Sequence, residues 1–295
     1  MPQAVSRAAP AKINLALHVT GRRADGYHLL DSLVAFTAFG DRIGVEAATS
    51  DTFFVSGPYA SQTPADGSNL AMGARDLLRT LYPDATKLPV NIVLDKQLPV
   101  ASGIGGGSSD AAAALKALVA HWGIEDEGWK KKALELGADL PMCLAARPLI
   151  ARGIGEELEP LRDFPALQIL LVNPGAAVPT PQVFARLERR DNTPLPPLPP
   201  VMSPKALLHW LETTRNDLEA PARDVAPAIG EALSALRGSN AMLARMSGSG
   251  ATCFGLFADA ASAQDAAARI ARTHPGWFVV ATETRPSPQG EKDFR

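Results

Sequence analysis

The stretch that most limits how this chain can fold is PVASGIGGGSSDAAAAL, residues 99–115. It sets four glycines and three serines directly before a run of alanines. A segment this bare buries no core of its own. Gly103, Gly105, Gly106 and Gly107 open backbone conformations closed to other residues, and they present N–H groups with no side chain in the way. The alanines behind them are strong helix formers. The pattern predicts a helix over 108–122 closed by Gly123, with Ser108 or Ser109 as its cap and Asp110 in its first turn. A glycine loop that runs straight into a helix N-terminus offers unpaired donors and a positive dipole end, which suits a phosphate. A flexible linker is the weaker reading, because linkers do not feed at once into a helix-forming run. Pro99, Val100, Ala101, Ser102 and Ile104 complete the candidate cradle.

Two familiar phosphate loops are excluded. The P-loop needs Lys-Ser/Thr after its last glycine, whereas Gly107 is followed by Ser108-Ser109-Asp110. The dinucleotide fingerprint needs G-x-G-x-x-G directly after a strand. Here a serine stands at the third glycine's place, and Gln97-Leu98-Pro99 intervene.

Residues 11–20, AKINLALHVT, alternate cleanly and predict a half-buried strand. Ile13, Leu15, Leu17 and Val19 fall on its apolar face; Lys12, Asn14, Ala16 and His18 fall on the other. GRRADGYH follows as a turn centred on Asp25-Gly26. Further strands are expected at 29–37, 42–48, 52–56 and 89–95, and a helix capped by Ser68 at 68–82. A short helix is expected near 127–136, ended by Gly137. In the second half, ALQILLVNPG reads as a buried strand, and helices are expected at 205–215 and 223–237. The close reads strand–helix–strand: GATCFGLFA, 262–273, GWFVVATET. The proline-rich stretch 192–204 cannot be helix or central strand, and reads as an ordered surface loop rather than a ligand for another protein.

A chain of 295 residues has room for about two domains. A net charge of −2 and the absence of any basic stripe argue against nucleic acid. No apolar run reaches the roughly 20 residues a bilayer demands, and the N-terminus lacks a signal-peptide core. Cys143 and Cys253 sit in apolar surroundings at no metal spacing, as buried thiols of a reducing compartment do. These points predict a cytoplasmic protein without membrane or nucleic-acid partners; monomer and homodimer both stay open. Asp139 stands apart on local grounds. It is a carboxylate between Gly137-Ala138 and the apolar run LPMCLAA, so it must find a partner, shift its pKa, or merely cap a turn.

PVASGIGGGSSDAAA resembles the phosphate-binding motif of the GHMP kinase superfamily of small-molecule kinases. AKINLALHVTGRRADGYHLLDSL and MSGSGATCFGLF resemble its first and third motifs, in the expected order. The resemblance implies a two-domain α+β fold: a ribosomal-protein-S5-like nucleotide domain over 1–152 and a ferredoxin-like substrate domain over 153–295. It implies ATP as phosphoryl donor and Mg²⁺ with it; Ser108, Ser109 or a nearby carboxylate would reach the metal. AKINLAL followed by GRRADGYH resembles the branch that phosphorylates the tertiary 2-hydroxyl of a cytidylylated methylerythritol in non-mevalonate isoprenoid synthesis. By that resemblance Lys12 and Asp139 flank the acceptor hydroxyl, Asn14 meets the erythritol part, Tyr27 stacks on cytosine and His28 bonds it, and Thr180 and Phe184 add substrate contacts. The second aromatic that usually completes a cytosine sandwich is missing near Val34, which leaves Val34 or Phe36 for that face. A homoserine- or mevalonate-type kinase, or a non-catalytic ligand-binding regulator on the same fold, are the competing readings; the cytidine-type turn counts against the first, and the presence of both Lys12 and Asp139 against the second.

Overall fold

The computed structural model describes residues 4–288. They divide into two compact units, each assembled from separated stretches of chain. One takes the residues through Lys12, then Phe39–Val100 and Gly105–Ala146; the other takes Ile13–Ala38, Ala101–Ile104 and Arg147 onward. The long strands β1 (Val5–Arg22) and β2 (His28–Ala47) pair with each other and contribute residues to both units.

In the first unit, strands β3 (Thr52–Ser56) and β4 (Val90–Asp95) run parallel, and the end of β2 pairs antiparallel with β4 from Arg42↔Asp95 to Ala47↔Val90. Parallel neighbours need a crossover, which helix α1 (Leu70–Leu81) supplies. Its cap is Asn69, whose side chain accepts from the Ala71 amide at 2.9 Å; Ser68, the expected cap, bonds Asp66 instead. Helix α2 (Gly106–Trp122) starts at Gly106 rather than Ser108, with Gly105 as its N-cap at φ 64°. Gly123 closes it at φ 65°, as expected. Ser109 through Leu115, Ala117 and Leu118 are all buried, so α2 is covered nearly all round. Small side chains permit this, because α1 and α4 (Leu140–Ala145) both pack on it. Between them lie α3 (Trp129–Lys132) and a 3₁₀ turn at Ala133–Leu136.

In the second unit, β5 (Leu149–Gly153) pairs with the beginning of β2 from Leu30↔Gly153 to Val34↔Leu149, and β6 (Glu157–Pro160) pairs with β5. Strand β7 (Gln168–Asn173) then leads to helices α5 (Thr180–Ala185), α6 (Pro204–Glu212), α7 (Glu219–Val225) and α8 (Ala228–Gly238). Strands β8 (Leu243–Met246) and β9 (Cys253–Phe257), helix α9 (Ala260–Thr273) and strand β10 (Phe278–Glu283) complete it. The sheet order is β10-β7-β9-β8, antiparallel throughout, which is the ferredoxin-like arrangement expected. Leu170, Val172, Ile229, Leu233, Leu236 and Phe257 form its core.

Several expectations change. Strand β1 is not half-buried: Lys12, Asn14 and His18 on its polar face are 7%, 6% and 1% exposed. Each is paired instead of solvated, His18 through Nδ1 with the Thr193 carbonyl. The predicted strands 29–37 and 42–48 are one strand, β2. Gly40 between them is no turn: a Cβ there would lie 2.2 Å from the Ala9 carbonyl oxygen, so the glycine lets β1 and β2 approach. The helix expected at 223–237 is two, because Ala226 before Pro227 is driven out of the helical region to φ −139°. Strands β5, β6 and β8, four or five residues long, have no counterpart among the predicted elements. The proline-rich stretch is an ordered loop: Leu195 N–H donates to Asp31 and Trp210 Nε1 donates to the Pro197 carbonyl. No helix among the described residues is long and apolar enough to cross a membrane.

Leu118 is fully buried on α2. Leu118→Ala is expected to destabilise the protein by about 2–5 kcal/mol, read from urea unfolding; a loss under about 1 kcal/mol would mean that α2 is not enclosed as described.

Candidate active site

Lys12 and Asp139, 127 residues apart in sequence, meet in the first unit: Lys12 Nζ donates to Asp139 Oδ2 at 2.7 Å. Two features put them there. Lys12 belongs to β1, and its stem lies against the start of α2, so that a Cβ on Gly105 would come within 3.1 Å of Lys12 Cβ and 3.4 Å of Cε. Asp139 is the residue before α4, held on α2 where Lys116 Nζ donates to the Leu144 carbonyl at 2.6 Å. Asp139 makes no side-chain cap to α4; its carboxylate pairs with Lys12 instead. Burial pulls the Lys12 pKa down, but the Asp139 charge and hydrogen bond outweigh it, and the net shift is upward. Lys12 therefore stays charged. Its side chain is 9% exposed and that of Asp139 is 39%, which leaves carboxylate surface for a ligand. Cys143 lies close by, and burial pushes its thiol up, so it stays protonated. Both cysteines are free and buried, as expected.

The glycine loop divides its labour differently from expectation. Of its four glycines, only Gly103 (φ 76°) and Gly105 (φ 64°) use the left-handed region, where Ala101 (φ 51°) also lies; Gly106 and Gly107 are helical. A Cβ on Gly106 would lie 3.1 Å from Lys96 Nζ. In the second unit, a Cβ on Gly103 would lie 2.5 Å from the Gly250 carbonyl oxygen, and one on Gly248 would lie 2.9 Å from the Gly103 carbonyl oxygen. Thr252 N–H donates to the Ser102 carbonyl at 3.1 Å, and Ser247 Oγ donates to that of Gly103 at 3.3 Å. The bareness expected to serve a ligand alone thus also lets residues 102–103 interlock with the third motif. Ile104 is fully buried and anchors the loop, while Val100, Ala101 and Gly107 are exposed and Pro99 is buried. Ser109 Oγ donates to the Pro10 carbonyl at 2.7 Å and is only 1% exposed, so it faces the core; Ser108 is partly exposed.

One cluster beneath the start of α2 has no local signal in the sequence. Lys96 Nζ donates to Asp41 Oδ2 and Asp110 Oδ2, both at 2.6 Å, and all three residues are at most 3% exposed. Asp41 Oδ1 also accepts the Gln97 and Leu98 amides at 2.6 and 2.7 Å. The cluster ties the approach to the glycine loop to the helix that leaves it. Burial, with the nearby Asp41 charge, pushes the Asp110 carboxyl up to about 8 against the pull of Lys96.

In the second unit, Asn14 donates through Nδ2 to Ser32 Oγ at 2.8 Å, and its Oδ1 is buried without a partner among the described residues. His28 stacks on Phe184 with ring centroids 4.7 Å apart. Its Nε2 is likewise buried and unpartnered among the described residues. Burial, then the charges of Arg22 and Arg190, lower its pKa, so the ring is neutral at pH 7. Tyr27 is 61% exposed, and Thr180 Oγ1 pairs with Ser249 Oγ at 2.8 Å. Val34 and Phe36 are both fully buried and present no free face; the second aromatic beside His28 is Phe184.

A cationic ammonium and a carboxylate stand at the start of a helix that follows a glycine loop, and the chain matches the GHMP kinase N-terminal domain over residues 69–147 and the GHMP kinase C-terminal region over 203–276. It is 57% identical over 281 residues to the 4-diphosphocytidyl-2-C-methyl-D-erythritol kinase of Chelativorans sp. (strain BNC1), covering 95% of this chain and 96% of that protein. It is 56% identical over 290 residues to that of Brucella melitensis biotype 1, covering 96% of each. A crystal structure of 4-(cytidine 5'-diphospho)-2C-methyl-D-erythritol kinase superposes with TM-score 0.80 at 35% identity, over 95% of this chain and 99% of that one. Homoserine kinase from Cytophaga hutchinsonii, at TM-score 0.60 and 16% identity over 98% of this chain and 97% of that one, shares the fold alone. The chain belongs to the 4-diphosphocytidyl-2-C-methyl-D-erythritol kinase family, and it is an ATP-dependent GHMP kinase.

Because Asp110 is raised on folding, it stabilises the folded state at low pH, and that stabilisation is lost as pH rises through about 8. Between about pH 6 and about pH 8.5 the unfolding free energy of Asp110→Asn is therefore expected to fall less than that of the wild type. Parallel denaturant-derived curves would refute the raised carboxyl.

Proposed function

We propose that Lys12 and Asp139 carry the phosphoryl transfer, and that residues 99–109 hold the ATP triphosphate beside them. The reaction is that of the family: phosphorylation of the 2-hydroxyl of 4-diphosphocytidyl-2-C-methyl-D-erythritol by ATP, a step of non-mevalonate isoprenoid precursor synthesis. The observation that carries the reading is the 2.7 Å Lys12–Asp139 contact, with the Lys12 stem pressed on Gly105 at the N-terminus of α2.

Phosphoryl transfer through a loose transition state asks for positioning and charge stabilisation more than for covalent chemistry. The α2 N-terminus supplies amide donors and a positive dipole end for the phosphate oxygens. The Lys12 ammonium, kept charged by Asp139, faces negative charge that builds on the transferred group and the attacking oxygen. Asp139 takes the hydroxyl proton on the carboxylate oxygen that Lys12 does not occupy. Lys12 then moderates the charge change, so the pair works as a unit.

Magnesium fits this donor set as a metal carried mainly by the nucleotide, since it keeps several waters and needs few protein ligands. No group of three or more His, Cys, Asp or Glu side chains among the described residues forms a cage for it. Ser108, partly exposed on the first turn of α2, is the loop hydroxyl that would reach it; Ser109 is committed to Pro10. When bound, the metal neutralises phosphate charge.

For the cytidine part, exposed Tyr27 offers a stacking face, and the unpartnered Nε2 of neutral His28 suits a pyrimidine edge. Phe184 holds the His28 ring in place, Asn14 offers its buried Oδ1 to the polyol, and Thr180 adds a hydroxyl. A homoserine- or mevalonate-type substrate has no base for such an arrangement. The buried free thiols support a cytoplasmic setting.

Asp139→Asn is expected to keep ATP binding and to lose turnover by roughly 10²-fold or more, as removal of a general base does. Retention of more than about a tenth of the rate in folded protein would remove the base role. Tyr27→Ala is expected to weaken the cytidylylated substrate by about tenfold and to leave ATP affinity unchanged, both read by calorimetric titration. Equal weakening of the two ligands, or of neither, would count against a cytosine platform.

A further inference from the structure

We infer that Asn216 is a positioning residue for the triphosphate: it shapes the third glycine motif, and through that motif the arc of the phosphate loop at residues 102–103. The inference rests on the reading of residues 99–109 as the ATP loop. Asn216 and every residue whose contact it cites belong to the second unit.

Asn216 lies in the turn between α6 and α7 and is only 6% exposed. Its Nδ2 donates to the carbonyls of Met246 and Gly248, both at 2.8 Å, and its Oδ1 accepts the Leu218 amide at 2.9 Å. One side-chain amide thus holds two carbonyls on either side of Ser247. A buried carbonyl without a partner is costly, so these two set the path of the motif. That path is the one that meets the phosphate loop, through Ser247 Oγ, the Gly250 backbone and the Thr252 amide.

The amide is itself fixed from the other side. Residues 215–217 run alongside β1: Leu17 N–H donates to the Arg215 carbonyl, and Asp217 N–H donates to that of Leu17, both at 2.9 Å. The Asp217 carboxylate accepts the Val19 amide at 2.7 Å. The buried Arg245 guanidinium donates to the carbonyls of Leu15, Leu211 and Thr214, clamping the same turn to the same strand. Asn216 is therefore a rigid post between β1 and a loop of glycines that has little stiffness of its own. Its chemistry towards the nucleotide is indirect, since it touches backbone and no phosphate.

The test is calorimetric titration of an unreactive ATP analogue into wild type and Asn216→Ala, well below the unfolding temperature of each. The folded variant is expected to bind the analogue at least about fivefold more weakly. An unchanged dissociation constant, even with a lowered unfolding temperature, overturns the inference and leaves Asn216 structural only. If the wild type binds no analogue, the ATP-loop reading itself fails, and the two failures are distinct. If Asn216→Ala does not fold, hydrogen exchange of the wild-type Leu218 amide decides. Slower exchange on adding the analogue supports coupling through Asn216; exchange that does not change overturns it.

Discussion

The contact between Lys12 and Asp139 governs much of what surrounds it. An ammonium enclosed by protein keeps its charge only beside a partner, and that partner must come from far along the chain. The need explains why a short helix of six residues, α4, follows Asp139 and is seated on α2 through Lys116. It explains Gly105 as well, whose missing side chain admits the lysine stem. Lys12 and the head of α2 consequently share one small volume, where two sources of positive potential, one full charge and one dipole end, lie together for the phosphate that the proposed function places there.

Much of the fold could be read from periodicity and punctuation. The alternation of AKINLALHV, the glycine at 123 and the strand–helix–strand close all found their elements. What escaped had definite causes. A polar face looks solvent-facing in sequence whether water or a buried partner meets it, so the pattern of β1 predicts half-burial. Short strands such as LARM, interrupted by Arg245, carry too few apolar residues for a pattern. A glycine can mean a turn or a close approach, and Gly40 was the latter.

The candidate site is legible in proportion to how local its signals are. Lys12, Asn14, His28 and the glycine loop lie in motifs that can be read within a few residues, and Asp139 stood out as a carboxylate ahead of an apolar run. The cluster of Lys96, Asp41 and Asp110 joins residues 55 and 14 positions apart and looks, in each local context, like ordinary surface charge. Asn216 was hidden for the same reason. Nor does sequence say which glycines are bare for a ligand and which for protein: Gly103, Gly105 and Gly106 each have a protein neighbour waiting where a side chain would go.

The enclosure of β1 on both faces carries a further consequence. A strand with one wet face tolerates a sliding error, because half its side chains are indifferent to where they land. Here a shift by one position would send Ile13 against a carboxylate and leave the lysine among hydrocarbons. The strand has therefore a single acceptable alignment with its neighbours, and the same residues proposed for the chemistry also act as the index marks that set it.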